Sequence, residues 1–182
     1  MKNFISSSSG ETKKFAESFA RRIINRKSKI VNHRGALVLA FTGELGSGKT
    51  TFVQGFFRGL GVRKRIASPT FIIMRRVALP RYHDHNDNHG KKAKSTRHRH
   101  LSLSSFRNAY HIDAYRIQKP KELLKIGFKE VLENQENIVL IEWADRIKKI
   151  LPKSSIKISF AHEREEDKRF ISISKKNNSR KS

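Results

Sequence analysis

The densest apolar run in the chain is Ala36-Leu37-Val38-Leu39-Ala40-Phe41, a continuous stretch suited to a strand buried on both faces of a parallel sheet. Ile138-Val139-Leu140-Ile141, closed by Glu142 and Trp143, is a second run of the same kind. Elsewhere the period lengthens. From Glu11 to Arg26, Phe15, Phe19 and Ile23 recur with Ala16, Ala20 and Ile24 at helical spacing, which predicts an amphipathic helix capped by Ser9 or Thr12. Thr51 to Leu60 predicts another, with Phe52, Val53, Phe56, Phe57 and Leu60 on one side and Gly59 and Gly61 near its end. Ile72 to Val77 reads as a strand, and Phe106 to Ile117 as a strand running into a loop. Ile156 to Phe160 and Phe170 to Ser174 alternate with period two and predict an antiparallel hairpin across the charged stretch His162 to Arg169. Short helices are expected at Pro120 to Lys125, Phe128 to Leu132 and Ala144 to Leu151, punctuated by Gly127 and Pro152.

Three segments lack this patterning. Lys27 to Arg34 reads as a basic loop and Lys175 to Ser182 as a disordered basic tail. Pro80 to Ser105 holds five of the eight histidines (His83, His85, His89, His98, His100), the cluster Lys91-Lys92-Ala93-Lys94 and almost nothing apolar. Such a stretch does not bury enough surface to offset its ordering entropy, so it is expected to be a flexible insertion between two strands. Its histidines show no spacing of a rigid metal-ligand set, and its charge also suits an arm that touches RNA.

Between the first buried strand and its helix lies Gly43-Glu44-Leu45-Gly46-Ser47-Gly48-Lys49-Thr50, followed by Thr51. This is the G-x-x-x-x-G-K-[ST] spacing of a phosphate-binding loop. Glycines at 43, 46 and 48 free the backbone to take left-handed angles, so that loop N–H groups converge on a polyphosphate at the positive end of the next helix. In this pattern Lys49 reaches the β- and γ-phosphates and the Thr50 hydroxyl ligates Mg2+. Strand, glycine-rich turn and helix in that order are the context the motif requires. The fold expected is therefore the α/β P-loop NTPase fold. Its sheet is mixed but mostly parallel and flanked by helices, with an antiparallel C-terminal hairpin, all in one domain spanning 1–182.

Two acids and a turn follow. Glu142 ends a buried strand, where a parallel sheet delivers a carboxylate beside the phosphate loop. Asp113 lies near a strand end; facing Mg2+ or water and being a solvated surface acid are both compatible with its position. In Ser68-Pro69-Thr70-Phe71 the proline leaves two hydroxyls on a turn, either as an ordinary opening to an edge strand or as a switch in which Thr70 or Ser68 senses the nucleotide.

Composition narrows the partners. Lys+Arg 40 against Asp+Glu 16 gives a formal net charge of +24, enough to attract nucleic acid non-specifically or simply to decorate the surface. Only 36% of residues are hydrophobic, in keeping with segments outside the core. The absence of cysteine excludes disulfides and Cys-ligated metal. No apolar run approaches the roughly 20 residues of a membrane span, and the first residues lack the apolar core of a secretory signal, so a cytoplasmic protein without a membrane partner is expected.

Four motifs in this order resemble the TsaE (YjeE) family, P-loop ATPases of bacterial tRNA threonylcarbamoyladenosine synthesis. They are Gly43 to Thr51, Ser68-Pro69-Thr70-Phe71, His111-Ile112-Asp113-Ala114-Tyr115-Arg116 and Ile141-Glu142-Trp143-Ala144-Asp145-Arg146. Leu60-Gly61-Val62, Pro120-Lys121-Glu122-Leu123 and Leu151-Pro152 also fit, and the likeness runs from about Thr12 to Ile173. The resemblance implies ATP with Mg2+ bound by Thr50 and Glu142, and a switch-like segment from Ser68 to Phe71. It also implies that Asp113 is a carboxylate needed for hydrolysis and that Trp143 lies beside the nucleotide. It further implies TsaD-like and TsaB-like partners, which place a threonylcarbamoyl group on the adenosine next to the anticodon in tRNAs reading codons that begin with A. Family members usually have only a short hairpin where this chain has Pro80 to Ser105, and often Pro where Ala144 stands.

The expected activity is ATP hydrolysis, slow alone and faster with partners, with tRNA reached through the complex or directly through the basic surface. Two other readings compete. A small-molecule P-loop kinase needs an arginine-bearing lid, for which Arg97 or Arg99 are candidates. A basic RNA-binding protein with a vestigial nucleotide site would not need the intact Lys49, Thr50 and Glu142.

Overall fold

The apolar run ahead of the glycine-rich turn forms the middle strand of a seven-stranded sheet in a computed structural model of the chain. The structure describes residues 2–30, 35–64, 66–69, 72–80, 106–162 and 168–175. Its elements are β1 (Lys2–Ser6), α1 (Ser9–Ile30), β2 (Leu37–Thr42), α2 (Lys49–Gly59), β3 (Met74–Ala78), β4 (Asn108–Asp113), α3 (Lys121–Lys125), α4 (Phe128–Glu133), β5 (Asn137–Glu142), a 3-10 helix (Ala144–Ile150), β6 (Ile156–His162) and β7 (Arg169–Lys175). The strand order is β1-β7-β6-β2-β5-β4-β3. Strands β6, β2, β5 and β4 run parallel, while β3 is antiparallel to β4, and β7 to both β6 and β1. This is the mixed α/β sheet with an antiparallel C-terminal hairpin that the motif order predicts.

Alternation along the strands sorts the core onto two faces. Leu39, Phe41, Ile138 and Leu140 pack beneath α1 and α2, whereas Val38, Ala40, Val139 and Ile141 meet Leu123, Phe128, Val131 and Ile147 on the other side. Every residue of β5 is buried, which is why that strand reads as a continuous apolar run. Phe52, the fourth residue after Gly48 and the first large apolar side chain of α2, is 0% exposed. It sits among Phe41 (5.5 Å between ring centroids), Phe160 (5.7 Å) and Phe19 (6.0 Å). The aromatic cluster thereby ties the start of α2 to β2, β6 and α1.

Helices α1 and α2 cross at Gly55 and Gly59, one turn apart on the buried side of α2. A methyl group at Gly55 would lie 2.7 Å from Lys13 Cα, and one at Gly59 would lie 2.7 Å from Ala20 Cβ. Gly59 therefore serves helix packing, and Gly61, at φ +81, supplies the left-handed residue after the helix end.

Several sequence expectations shift. The cap of α1 is Ser8, whose hydroxyl accepts from the Glu11 N–H at 3.1 Å, while Glu11 Oε2 accepts from the Ser7 N–H at 2.7 Å. Thr12 is instead buried, with its hydroxyl 2.8 Å from Ser6 Oγ. The expected basic loop from Lys27 is helical as far as Ile30, because α1 extends past Arg26. Strand β1 has no counterpart in the sequence reading. Of the segments read as unstructured, 81–105 and 176–182 lie outside the described residues, as do 31–34 and 163–167.

Candidate functional site

The four parallel strands end together on the side where the glycine-rich loop leaves β2, the edge at which open α/β sheets take their ligands. Register lines up three positions there: Phe41 pairs with Glu142, and Glu142 with Asp113. Because side chains two apart share a strand face, His111 and Asp113 point to the α2 side, as do Leu140 and Glu142. Two acids, a histidine and the start of α2 thus converge on one spot.

The loop has the backbone its glycines foretell. Gly43, Gly46 and Gly48 take φ +134, +78 and +97. A methyl group at Gly43 would lie 3.0 Å from Phe160 Cβ and closer still to the Phe160 carbonyl, so β6 presses the loop into shape. One at Gly48 would meet Arg169 Cδ at 3.0 Å, placing an arginine of β7 against the loop. Glu44, Leu45 and Gly46 form the exposed tip, whereas Ser47 is buried.

Lys49 is 4% exposed and curls back into the loop. Its ammonium donates to the carbonyls of Gly43 at 2.8 Å and Glu44 at 2.6 Å, and lies 3.5 Å from Ser47 Oγ. Trp143, held at φ 58 directly after β5, covers it with 4.1 Å from Nζ to the ring centroid. Burial holds the Lys49 pKa below its usual value, against the opposing pull of Glu142, Asp113 and Asp145. The lysine is thus a partly desolvated cation wrapped by carbonyl dipoles that a phosphate would outbid.

The next residue reaches a distant part of the sequence. The Thr50 hydroxyl donates to Glu142 Oε2 at 2.7 Å, with Glu142 only 2% exposed. The other oxygen, Oε1, lies 2.8 Å from Nε2 of His111, which is wholly buried. Hydroxyl and carboxylate are hard oxygen ligands of the type Mg2+ takes, and Mg2+ keeps waters and substrate phosphates for its remaining positions. The donor set fits that ion. Among the described residues no group of three or more His, Cys, Asp or Glu is arranged to hold a metal by protein ligands alone.

Asp113, 5% exposed, is not a solvated acid. Its Oδ2 accepts from the Ser68 hydroxyl at 2.8 Å and its Oδ1 from the Tyr115 N–H at 3.0 Å. The Ser68 bond joins the Ser-Pro turn to the strand end, and the Asp113 N–H donates to the carbonyl of Ile73 at 2.9 Å. Ile73 sits at φ 59, a left-handed angle that a β-branched residue rarely takes. Thr70 and Phe71, the remaining residues of that motif, lie outside the described residues. Thr51 is half-buried on the first turn of α2. His111 had no role in the sequence reading, although its period-two spacing from Asp113 was a signal that both share a face. Tyr115, whose ring centroid is 5.0 Å from that of Trp143, and Arg146, stacked on Tyr115 at 5.3 Å, extend the aromatic wall.

Comparison with known proteins gives one answer. The model of the family described as threonylcarbamoyl adenosine biosynthesis protein TsaE matches residues 6–171. The tRNA threonylcarbamoyladenosine biosynthesis protein TsaE of Rickettsia prowazekii (strain Madrid E) is 30% identical over 168 residues, covering 92% of this chain and 90% of that protein. The protein of the same name from Bacillus subtilis (strain 168) is 34% identical over 121 residues, 66% of this chain and 59% of that protein. Among solved structures, the crystal structure of Bacillus subtilis YdiB superposes with a TM-score of 0.59 at 26% identity, covering 96% of this chain and 84% of that one. The family match begins at the end of β1, runs into β7 and contains all four motifs, and on that ground the chain belongs to the TsaE family.

Proposed function

We propose that this protein is a Mg2+-dependent ATPase acting in formation of threonylcarbamoyladenosine in tRNA, within a complex with TsaB-like and TsaD-like proteins. The observation that carries the reading is the 2.7 Å contact between Thr50 and Glu142, which pairs the loop hydroxyl with the acid of the neighbouring strand. ATP would lie with its phosphates in the cradle from Gly43 to Thr51. Lys49 would turn from its carbonyls to the β- and γ-phosphates, and Thr50 and Glu142 would hold Mg2+, which would supply charge neutralisation at the phosphoryl group being transferred. Asp113 orients the attacking water or the turn that does so, and Trp143 flanks the nucleotide. Ser68 through Thr70 act as the nucleotide sensor, supported by the Ser68–Asp113 bond.

Membership of the family and the names of its relatives support the tRNA pathway. Among the described residues no helix is long and apolar enough to cross a membrane. Slow hydrolysis in isolation belongs to this reading, because Asp113, the acid assigned to the attacking water, is already engaged by the Ser68 hydroxyl and the Tyr115 N–H. Phosphate release with and without TsaB-like and TsaD-like proteins tests this. Fast turnover by the isolated chain, or a Lys49→Ala variant that still supports tRNA modification, would overturn it.

A further inference from the structure

His111 is a buried polar residue at this site that the proposed mechanism leaves without a task. It is 0% exposed on β4, its ring centroid 6.2 Å from that of Phe57 on α2. A carboxylate only accepts hydrogen bonds, so the 2.8 Å contact with Glu142 Oε1 requires the proton on Nε2. Nδ1, equally buried, has no hydrogen-bond partner among the described residues. A side chain kept there for packing alone would be apolar, since leucine or phenylalanine fills such space without stranding a polar atom. The unmet Nδ1 is therefore a stability cost accepted for what Nε2 does.

We propose that His111 is the positioning residue of the cation site. It fixes one oxygen of Glu142 so that the other faces Thr50 and a Mg2+ bound beside it. The inference rests on the reading above, that a magnesium nucleotide occupies the loop. Two hydrogen bonds hold the Glu142 carboxylate, one from Thr50 and one from His111. Once Thr50 Oγ1 serves a cation, His111 is the restraint that remains of those two. It sits two residues back from Asp113 on β4, so the same strand sets the acid of the switch contact and the orientation of the metal-binding acid.

The test compares the wild type, His111→Leu and His111→Gln by calorimetric binding of ADP, once in EDTA and once across a Mg2+ titration. Melting curves accompany each variant. The leucine variant should need about 10–100-fold more Mg2+ for half of the metal-dependent gain in affinity, the range for loss of an outer-shell partner. Its affinity for ADP in EDTA should match the wild type. Glutamine, whose amide N–H can reach roughly the place of the imidazole Nε2–H, should recover most of the shift. An unchanged Mg2+ midpoint in His111→Leu overturns the proposal. So does an equal loss of ADP binding with and without Mg2+, or a glutamine variant no better than leucine. If the wild type itself shows no Mg2+-dependent gain, the parent reading of the site fails instead.

Discussion

Replacing Thr50 by valine isolates the hydroxyl that meets Glu142. Valine keeps the shape and β-branching of threonine, so the backbone preference of the first turn of α2 is unchanged. What is lost is one hydrogen bond of 2.7 Å from a hydroxyl to a carboxylate that is 2% exposed. A bond to a charged group contributes about 1.5–3 kcal/mol, and water has little access to replace it. His111 still holds Oε1, so the lower half of that range is expected. With a urea dependence of about 1–3 kcal/mol per molar, the unfolding midpoint should fall by roughly 0.5–2 M. The second effect is on ligand linkage. A ligand at about one hundred times its Kd stabilises the wild type by roughly 2.7 kcal/mol. The valine variant, without its cation ligand, should be stabilised no more by Mg-ADP than by ADP in EDTA. Urea unfolding followed by far-UV dichroism, in both conditions, reads both effects, and Thr50→Ser should restore them. A valine variant with the wild-type midpoint that also gains as much from Mg-ADP would refute the pairing of Thr50 with Glu142 as a metal site.

Other outcomes follow from single contacts. Burial depresses the Lys49 pKa, so the folded chain binds fewer protons than the unfolded chain between that lowered value and 10.5. The stability of the wild type relative to Lys49→Met should therefore rise with pH through that window, and a flat difference contradicts the buried ammonium. Phe52→Ala empties the centre of the aromatic cluster and should cost about 3–5 kcal/mol, measured by denaturant unfolding. Gly55→Ala forces α2 off the Lys13 backbone and should cost about 1–3 kcal/mol with Gly59 unchanged. Trp143 is the only tryptophan and lies 4.1 Å from the lysine, so its fluorescence should change on adding Mg-ATP to the wild type and not to Lys49→Ala.

What could be read from sequence was local. The runs at Ala36 and Ile138 predict β2 and β5 because both faces of those strands are covered, and the glycine spacing predicts the loop because positive φ leaves few alternatives. Distant pairings were hidden. Strand β1 is five residues, Lys2 to Ser6, and its register depends on β7 at the other end of the chain. Gly55 and Gly59 look like weak points in a helix until α1 lies across them. The role of Glu142 was legible from its place at a strand end. That His111 holds it was not, because the register of β4 on β5 is set by tertiary packing. The αL conformation of Trp143, which turns the ring over Lys49, likewise has no sequence signature in a non-glycine residue.

The account centres on one cation between a threonine of α2 and a glutamate of β5. A crystal structure of the chain with Mg2+ and a non-hydrolysable ATP analogue tests that most directly. The account predicts phosphates along the amides from Gly43 to Thr51 and a metal about 2.0–2.1 Å from Thr50 Oγ1, with the Glu142 carboxylate in its coordination sphere. Phosphates bound elsewhere, or a metal remote from both side chains, would contradict it.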